Sequence, residues 1–86
     1  MTVEFSAEAE RDLKRLGKKI AGRIVSRILW FAENFDAQIP QPLGGKFKGF
    51  YKLRIGDWRA IYEVDRDEDV LVVHLVDHRS KIYRRN

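Results

Sequence analysis

The chain has 86 residues, no cysteine, two histidines and a formal net charge of +4, with a sequence pI near 9.6. This is the length of one domain, here residues 1–86, and a domain so small buries only about 60% of its unfolded surface. The composition offers no disulfide framework, thiolate metal site or zinc site, so no metal or other cofactor is expected. The basic balance points to nucleic acid or an acidic protein. No stretch approaches the roughly 20 apolar residues of a membrane span. Met1-Thr2-Val3-Glu4-Phe5 lacks the basic and apolar regions of a signal peptide, so a cytoplasmic protein with no membrane contact is expected.

Val3 and Phe5 alternate with polar neighbours and predict a short first strand. Ser6 is an N-cap candidate for the next element, with Glu8 and Glu10 in the first turn, where the helix dipole favours anions. Ala9, Leu13 and Leu16 recur at helical spacing up to Gly17, a natural stop. A second helix carries Ile20, Ile24, Ile28, Phe31 and Phe35 on one stripe, with Lys19, Arg23 and Arg27 as a basic row beside it. So few residues separate the helices that they should form an antiparallel hairpin.

Pro40, Pro42, Gly44, Gly45 and Gly49 make residues 36–49 read as a loop. Three strands follow, at about Phe50–Ile55, Arg59–Val64 and Val70–Val76, with links short enough for hairpins. The nearly unbroken apolar run of the last predicts a central strand buried on both faces. The order β-α-α-β-β-β describes a two-layer α+β fold, in which an N-terminal strand and a helical hairpin pack on an antiparallel sheet.

Lys52 and Arg54 are two apart on a strand, so they share a face while Leu53 and Ile55 take the other. Charged strand residues usually mark a solvated face. Arg59 argues against that reading here. It enters the next strand after a tight turn and can lie across the hairpin from Arg54, where like charges destabilise. An anionic ligand such as a phosphodiester backbone would explain three cations on one face. Just past the last strand come His78, Arg79 and Tyr83. His78 is either a general acid or base or a plain surface residue, and Tyr83 either stacks on a base or covers the edge of the core. His74, inside the apolar strand, reads as structural. Lys19, Arg23 and Arg27 read first as a solvated helix face, with a role against RNA or an acidic partner as the alternative.

Asp65-Arg66-Asp67-Glu68-Asp69 imitates the start of a calcium loop but has Val70 where the turn glycine is needed and Val76 where the bidentate Glu belongs. Gly44-Gly45-Lys46-Phe47 lacks the spacing and the Ser or Thr of a phosphate-binding loop.

Leu43-Gly44-Gly45, then Tyr51-Lys52-Leu53-Arg54-Ile55-Gly56-Asp57-Trp58-Arg59-Ala60-Ile61-Tyr62-Glu63-Val64, then Val76-Asp77-His78-Arg79-Ser80-Lys81-Ile82-Tyr83-Arg84, resembles the RelE/ParE toxin superfamily, and its RelE branch most. The resemblance spans essentially the whole chain. It implies the toxin of a toxin–antitoxin pair that enters the ribosomal A site and cuts mRNA there. The RNA's own 2′-hydroxyl is the nucleophile, without metal. It also implies a cognate antitoxin as partner, with operator DNA bound only through the antitoxin complex. By this resemblance Lys52 activates the 2′-hydroxyl and Arg54 stands where RelE proper has a second lysine. Arg59 holds the scissile phosphate, Tyr83 stacks on the message, and Arg79 or His78 serves the leaving group. Lys19, Arg23, Arg27, Lys46, Lys48 and Lys81 are the accompanying candidates for RNA contact. A ParE-like, non-catalytic inhibitor of DNA gyrase is the alternative, and a decayed toxin that binds only antitoxin and operator is a third.

Overall fold

A computed structural model of the chain describes residues 1–85. β1 (Thr2–Phe5) leads into α1 (Ala7–Leu16) and α2 (Lys18–Glu33), and β2 (Gln41–Pro42), β3 (Tyr51–Ile55), β4 (Trp58–Asp65) and β5 (Val70–His78) follow. Short 3₁₀ turns lie at Phe35–Ala37, Gly45–Phe47 and Ile82–Arg84. The strands form one sheet in the order β1-β5-β4-β3-β2. β2 to β5 pair antiparallel, whereas β1 joins β5 in parallel.

Local chemistry fixes both ends of α1. The Ser6 Oγ accepts the Ala9 amide at 3.1 Å, which satisfies one of the amides left free at a helix start. Gly17 ends the helix with φ at +86°, a region other residues enter only under strain, and α2 begins at the next residue. The two helices pack on each other and cover one face of the sheet. Ala9, Ile24, Ile28 and Phe31 meet Leu53, Ala60, Tyr62, Leu71, Val73 and Val76 in the main core. On the opposite face a smaller cluster of Phe47, Ile61, Leu75 and Ile82 is held by the second and third 3₁₀ turns.

Three details depart from the sequence expectations. α2 ends at Glu33, and Phe35 sits in a 3₁₀ turn, although its ring is still buried. The side-chain amide of Asn34 donates to the Trp30 carbonyl, which competes with continuation of the helix. Residues 36–49 are not all loop: Gln41 pairs with Lys52 and Pro42 with Tyr51. Proline is tolerated there because β2 is an edge strand. Finally, β4 and not β5 is the middle strand, and burial along β5 alternates over its first half. The helices bury one face of β5, while only the small second cluster covers the other. The β4–β5 register also shifts: Ile61 pairs with Leu75 but Tyr62 with Val73, leaving His74 as the extra residue of a bulge.

The outer edge of β5 is completed by side chains. β1 pairs only with Val70 to Val73. Beyond it, the Ser6 amide donates to the Val73 carbonyl at 2.9 Å, and the Ser6 hydroxyl donates to the His74 carbonyl at 3.0 Å. Asp12, 1% exposed, then accepts the Val76 amide through Oδ2 at 2.9 Å. Arg85 closes the arrangement. Its Nη1 donates to Asp12 at 2.9 Å and to Asp77 at 3.1 Å, and its Nη2 donates to Glu8 at 2.8 Å. Burial works against the Arg85 charge, but these carboxylates outweigh it and hold the guanidinium more firmly protonated than usual. Replacing Asp12 with Ala leaves the Val76 amide without its acceptor and Arg85 without its most buried partner. The expected loss is about 3–5 kcal/mol, read from urea unfolding, whereas Arg11→Ala on the exposed side of α1 should change stability by under about 0.5 kcal/mol.

Tyr62 gives a second test. Its ring lies between Phe31 and Tyr51, at 5.6 Å from each, and its hydroxyl is buried without a hydrogen-bond partner. Burial, assisted by the neighbouring Tyr51, pushes the phenol from 10.0 up to about 12. The fold therefore favours the neutral phenol. That contribution is complete below pH 10 and is lost as pH rises from 10 to 12, to a total of roughly 2–3 kcal/mol. The stability difference between Tyr62→Phe and the parent, measured by urea unfolding across pH 8–12, should be flat below pH 10. Above it, the difference should turn in favour of the phenylalanine variant.

Candidate active site

The β3–β4 hairpin assembles the cations. Its loop is two residues, Gly56 and Asp57, between the paired Ile55 and Trp58. Gly56 alone has positive φ, at +60°, as a type II′ turn requires of its first central residue. This turn sets the register, and the register places Arg54 directly across from Arg59 and Lys52 across from Ile61. Leu53 and Ala60 point into the helix-side core. Lys52, Arg54 and Arg59 therefore occupy the opposite face, as the alternation in the sequence predicts.

The three differ in their surroundings. Arg54 is exposed and Lys52 half-buried. Arg59 is 8% exposed, and its Nη1 donates to the Gly56 carbonyl at 2.9 Å and the Trp58 carbonyl at 2.8 Å. These bonds fix the guanidinium against its own turn. No protein group among the described residues takes its Nε or Nη2, and neither Lys52, Arg54 nor Arg59 has a carboxylate within ion-pair distance there.

Arg79 reaches the same turn from β5. Its amide donates to the Asp57 carbonyl at 2.9 Å, and its Nε lies 3.8 Å from the Asp57 carboxylate. His78 is directed differently. It pairs with Trp58, and its ring meets the indole edge-on at 5.4 Å. Trp58 packs on the helix-side core, so His78 is on the face away from Arg59. The Ser80 amide donates to His78 Nδ1 at 3.1 Å, which places the proton of the neutral ring on Nε2.

The tail is anchored at two points. Ile82 is fully buried in the cluster that contains Ile61, two residues along β4 from Arg59 on the same face. Arg85 is held by Glu8, Asp12 and Asp77. Tyr83 lies between these anchors and is 39% exposed. Lys81 and Lys48 are exposed, and Lys46 extends over the Phe47 ring at 5.3 Å. Beside them is a cavity of about 410 Å³, lined by Phe47, Phe50, Ile61 and His74 among others. His74 Nε2 is 2.8 Å from a Glu63 carboxylate oxygen and its ring meets Phe50 edge-on, which accords with a structural role.

Lys19, Arg23 and Arg27 form a row along α2, and that row is continuous with the sheet cations. A groove between α2 and the end of β3 is lined by all three and by Arg54. Two residues that matter were not evident from the chain order. Arg85 fixes the tail, and no local signal announced its partners 73 and 77 positions away. Trp30, 49% exposed, stands at the end of the basic row. Its spacing from Arg27 continues the row by one helical step, a signal present in the sequence.

Residues 3–83 match the family described as the ParE toxin of the type II toxin–antitoxin system parDE. The chain is 32% identical to Toxin RelG of Mycobacterium tuberculosis over 84 residues, covering 98% of this chain and 97% of that protein. It is also 32% identical to Toxin RelE of the same organism, covering 98% and 87%. Among solved structures, the toxin–antitoxin complex RelBE2 from Mycobacterium tuberculosis superposes with a TM-score of 0.80 at 29% identity, covering 91% of this chain and 96% of that one. The isolated E. coli RelE toxin shares the fold, with a TM-score of 0.72 at 20% identity over 96% and 90% of the two chains. The α+β arrangement, the cationic hairpin face and these matches have one conclusion: the chain belongs to the ParE toxin family and is a RelE-like toxin of a type II toxin–antitoxin system.

Proposed function

We propose that this toxin is a ribosome-dependent mRNA endoribonuclease. The observation that carries the reading is the register pair Arg54 and Arg59, with Lys52 one pleat away on the same face. Directly opposed like charges cost stability, and a bound phosphodiester converts that cost into binding. Lys52, in its neutral amine form, accepts the proton of the 2′-hydroxyl and becomes the ammonium, and the freed oxygen attacks the adjacent phosphorus. The bond from phosphorus to the 5′-oxygen breaks as that oxygen takes a proton from solvent water, leaving a 2′,3′-cyclic phosphate and a 5′-hydroxyl. Arg54 and the unpaired edge of the Arg59 guanidinium hold the phosphate oxygens as negative charge develops, where fixed donors act most strongly. Arg79, beside the same turn, meets the leaving oxygen. His78 fits that task less well because its ring is directed to the other face. Tyr83 stacks on a base of the message, with Lys46, Lys48 and Lys81 along the flanking backbone.

The site has no strong acid–base pair, so the ribosome supplies the alignment of the message, a contribution worth several orders of magnitude in such reactions. The cognate antitoxin blocks this face, and operator DNA is met through the antitoxin complex. A ParE-like action on DNA gyrase uses the same fold without cleavage, and it is the reading that survives if the message stays whole.

Primer extension on a defined mRNA, with and without programmed ribosomes, checks the proposal. Cuts at A-site codons are expected only with ribosomes. Lys52→Ala and Arg59→Ala should each lower the rate by about 10²-fold or more. An uncut message with folded protein, and toxicity unaffected by both substitutions, rejects the nuclease reading. Arg54→Gln separates function from folding: cleavage should fall, while unfolding stability stays level or rises by about 0.2–1 kcal/mol as the repulsion is removed.

A further inference from the structure

We infer that the groove between α2 and the free end of β3 is a binding track for single-stranded RNA, with Trp30 as its base-stacking platform. The inference rests on the RNA-directed reading above and extends it from Lys52 and Arg54 along α2, to residues that take no part in cleavage. The groove is open, about 830 Å³, and Lys19, Arg23, Arg27 and Arg54 line it together with Trp30. A second depression of about 170 Å³ shares Arg27 and Arg54 and continues to Lys52. Among the described residues no carboxylate lines either one. The track therefore runs from the basic row on α2 into the cationic face of the hairpin.

Three observations select the ligand. First, the Arg27 guanidinium lies 4.7 Å from the centre of the Trp30 ring. It covers one indole face, and 49% of the residue stays exposed to a second planar group. Second, Arg27 Nη1 is buried with no hydrogen-bond partner among the described residues, so Arg27 is not neutralised from within the fold and its charge is left to the groove that it lines. Third, β2 pairs only with Tyr51 and Lys52, so no strand covers the outer edge of β3 from Leu53 to Ile55. The floor of the track is open to a ligand. Cations in a line with an exposed aromatic ring suit a nucleic-acid strand, whose charges and bases alternate at short intervals. An acidic polypeptide would match the charge and leave the indole face without a stacking partner.

The test is a fluorescence titration of the full-length protein with a ten-nucleotide RNA at low salt, without ribosomes. Saturable quenching is expected, and Trp30→Phe assigns the signal because Trp58 remains. Trp30→Ala, followed by polarization of labelled RNA, should weaken binding roughly tenfold to a hundredfold. Arg23→Ala should weaken it and reduce the salt slope by about 0.7, the value for one phosphate contact on a single strand. Trp30 is half-exposed on the helix surface, so Trp30→Phe should keep the parent's unfolding midpoint, and binding by Trp30→Ala is compared at a temperature where urea unfolding shows that variant fully folded. RNA binding unaffected by Trp30→Ala overturns the proposal. So does quenching by poly-glutamate but not by RNA, which reassigns the groove to an acidic protein. The outcome is separable from catalysis: quenching by RNA without ribosome-dependent cuts supports the track and removes the nuclease, whereas cuts without Trp30-dependent binding do the reverse.

Discussion

The buried carboxylate of Asp12 stands where the sheet runs out of strand. β1 covers only the first part of β5, and the amides that follow need acceptors as surely as those already paired. A helix cannot offer a ladder of backbone groups sideways, so α1 supplies Asp12 in place of a carbonyl. An ionised acid at that depth needs a cation, and Arg85 provides one while also reaching Glu8 and Asp77. The consequence extends beyond stability. Arg85 belongs to the tail, so neutralising the edge of β5 also ties down the segment that carries Tyr83. One electrostatic requirement at a sheet edge thus joins α1, β5 and the aromatic ring proposed to contact the message.

Charge is divided across the molecule in keeping with that arrangement. The carboxylates of Glu8, Asp12 and Asp77 gather at the β5 edge and are matched there by Arg15 and Arg85. Lys52, Arg54 and Arg59 have no carboxylate within ion-pair distance among the described residues, although Asp77 stands opposite Arg59 in the β4–β5 register and is turned to Arg15 and Arg85, and the basic row of α2 continues them through Arg54. A net charge of +4 is modest, but its effect depends on where it is left unpaired. A concentrated positive field on one side attracts polyanions and raises their encounter rate. Arg59 shows how the fold prepares for such a ligand. Two carbonyls of its own turn fix Nη1, so the rest of the guanidinium is oriented before anything binds.

Periodicity made much of this readable in advance. Ser6, Gly17 and the isoleucine stripe located both helices, because a cap, a stop and a buried face are local properties. The alternation of Lys52, Leu53, Arg54 and Ile55, with a glycine at the turn, fixed which residues share a face. It allowed Arg59 to lie across from Arg54, and the structure sets that register with a two-residue turn because Trp58, read as part of the link, already belongs to β4. The misreadings have physical causes. The apolar density of β5 suggested burial on both faces, yet composition cannot say how much chain covers the second face. The stripe extended α2 to Phe35, and the competing Asn34 bond ended it sooner.

The sequence by itself determined the two helices, four of the five strands, their order and the cationic face, because spacing of residue types along the chain carries them, and its motifs carried the resemblance to the RelE/ParE toxins. Only the tertiary structure decided the parallel pairing of β1, the direction of His78 away from Arg59, the capture of Arg85 by Asp12, and the union of the α2 row with Arg54. Each of these depends on which distant segments meet, and a one-dimensional pattern records what a residue can do but not what it faces.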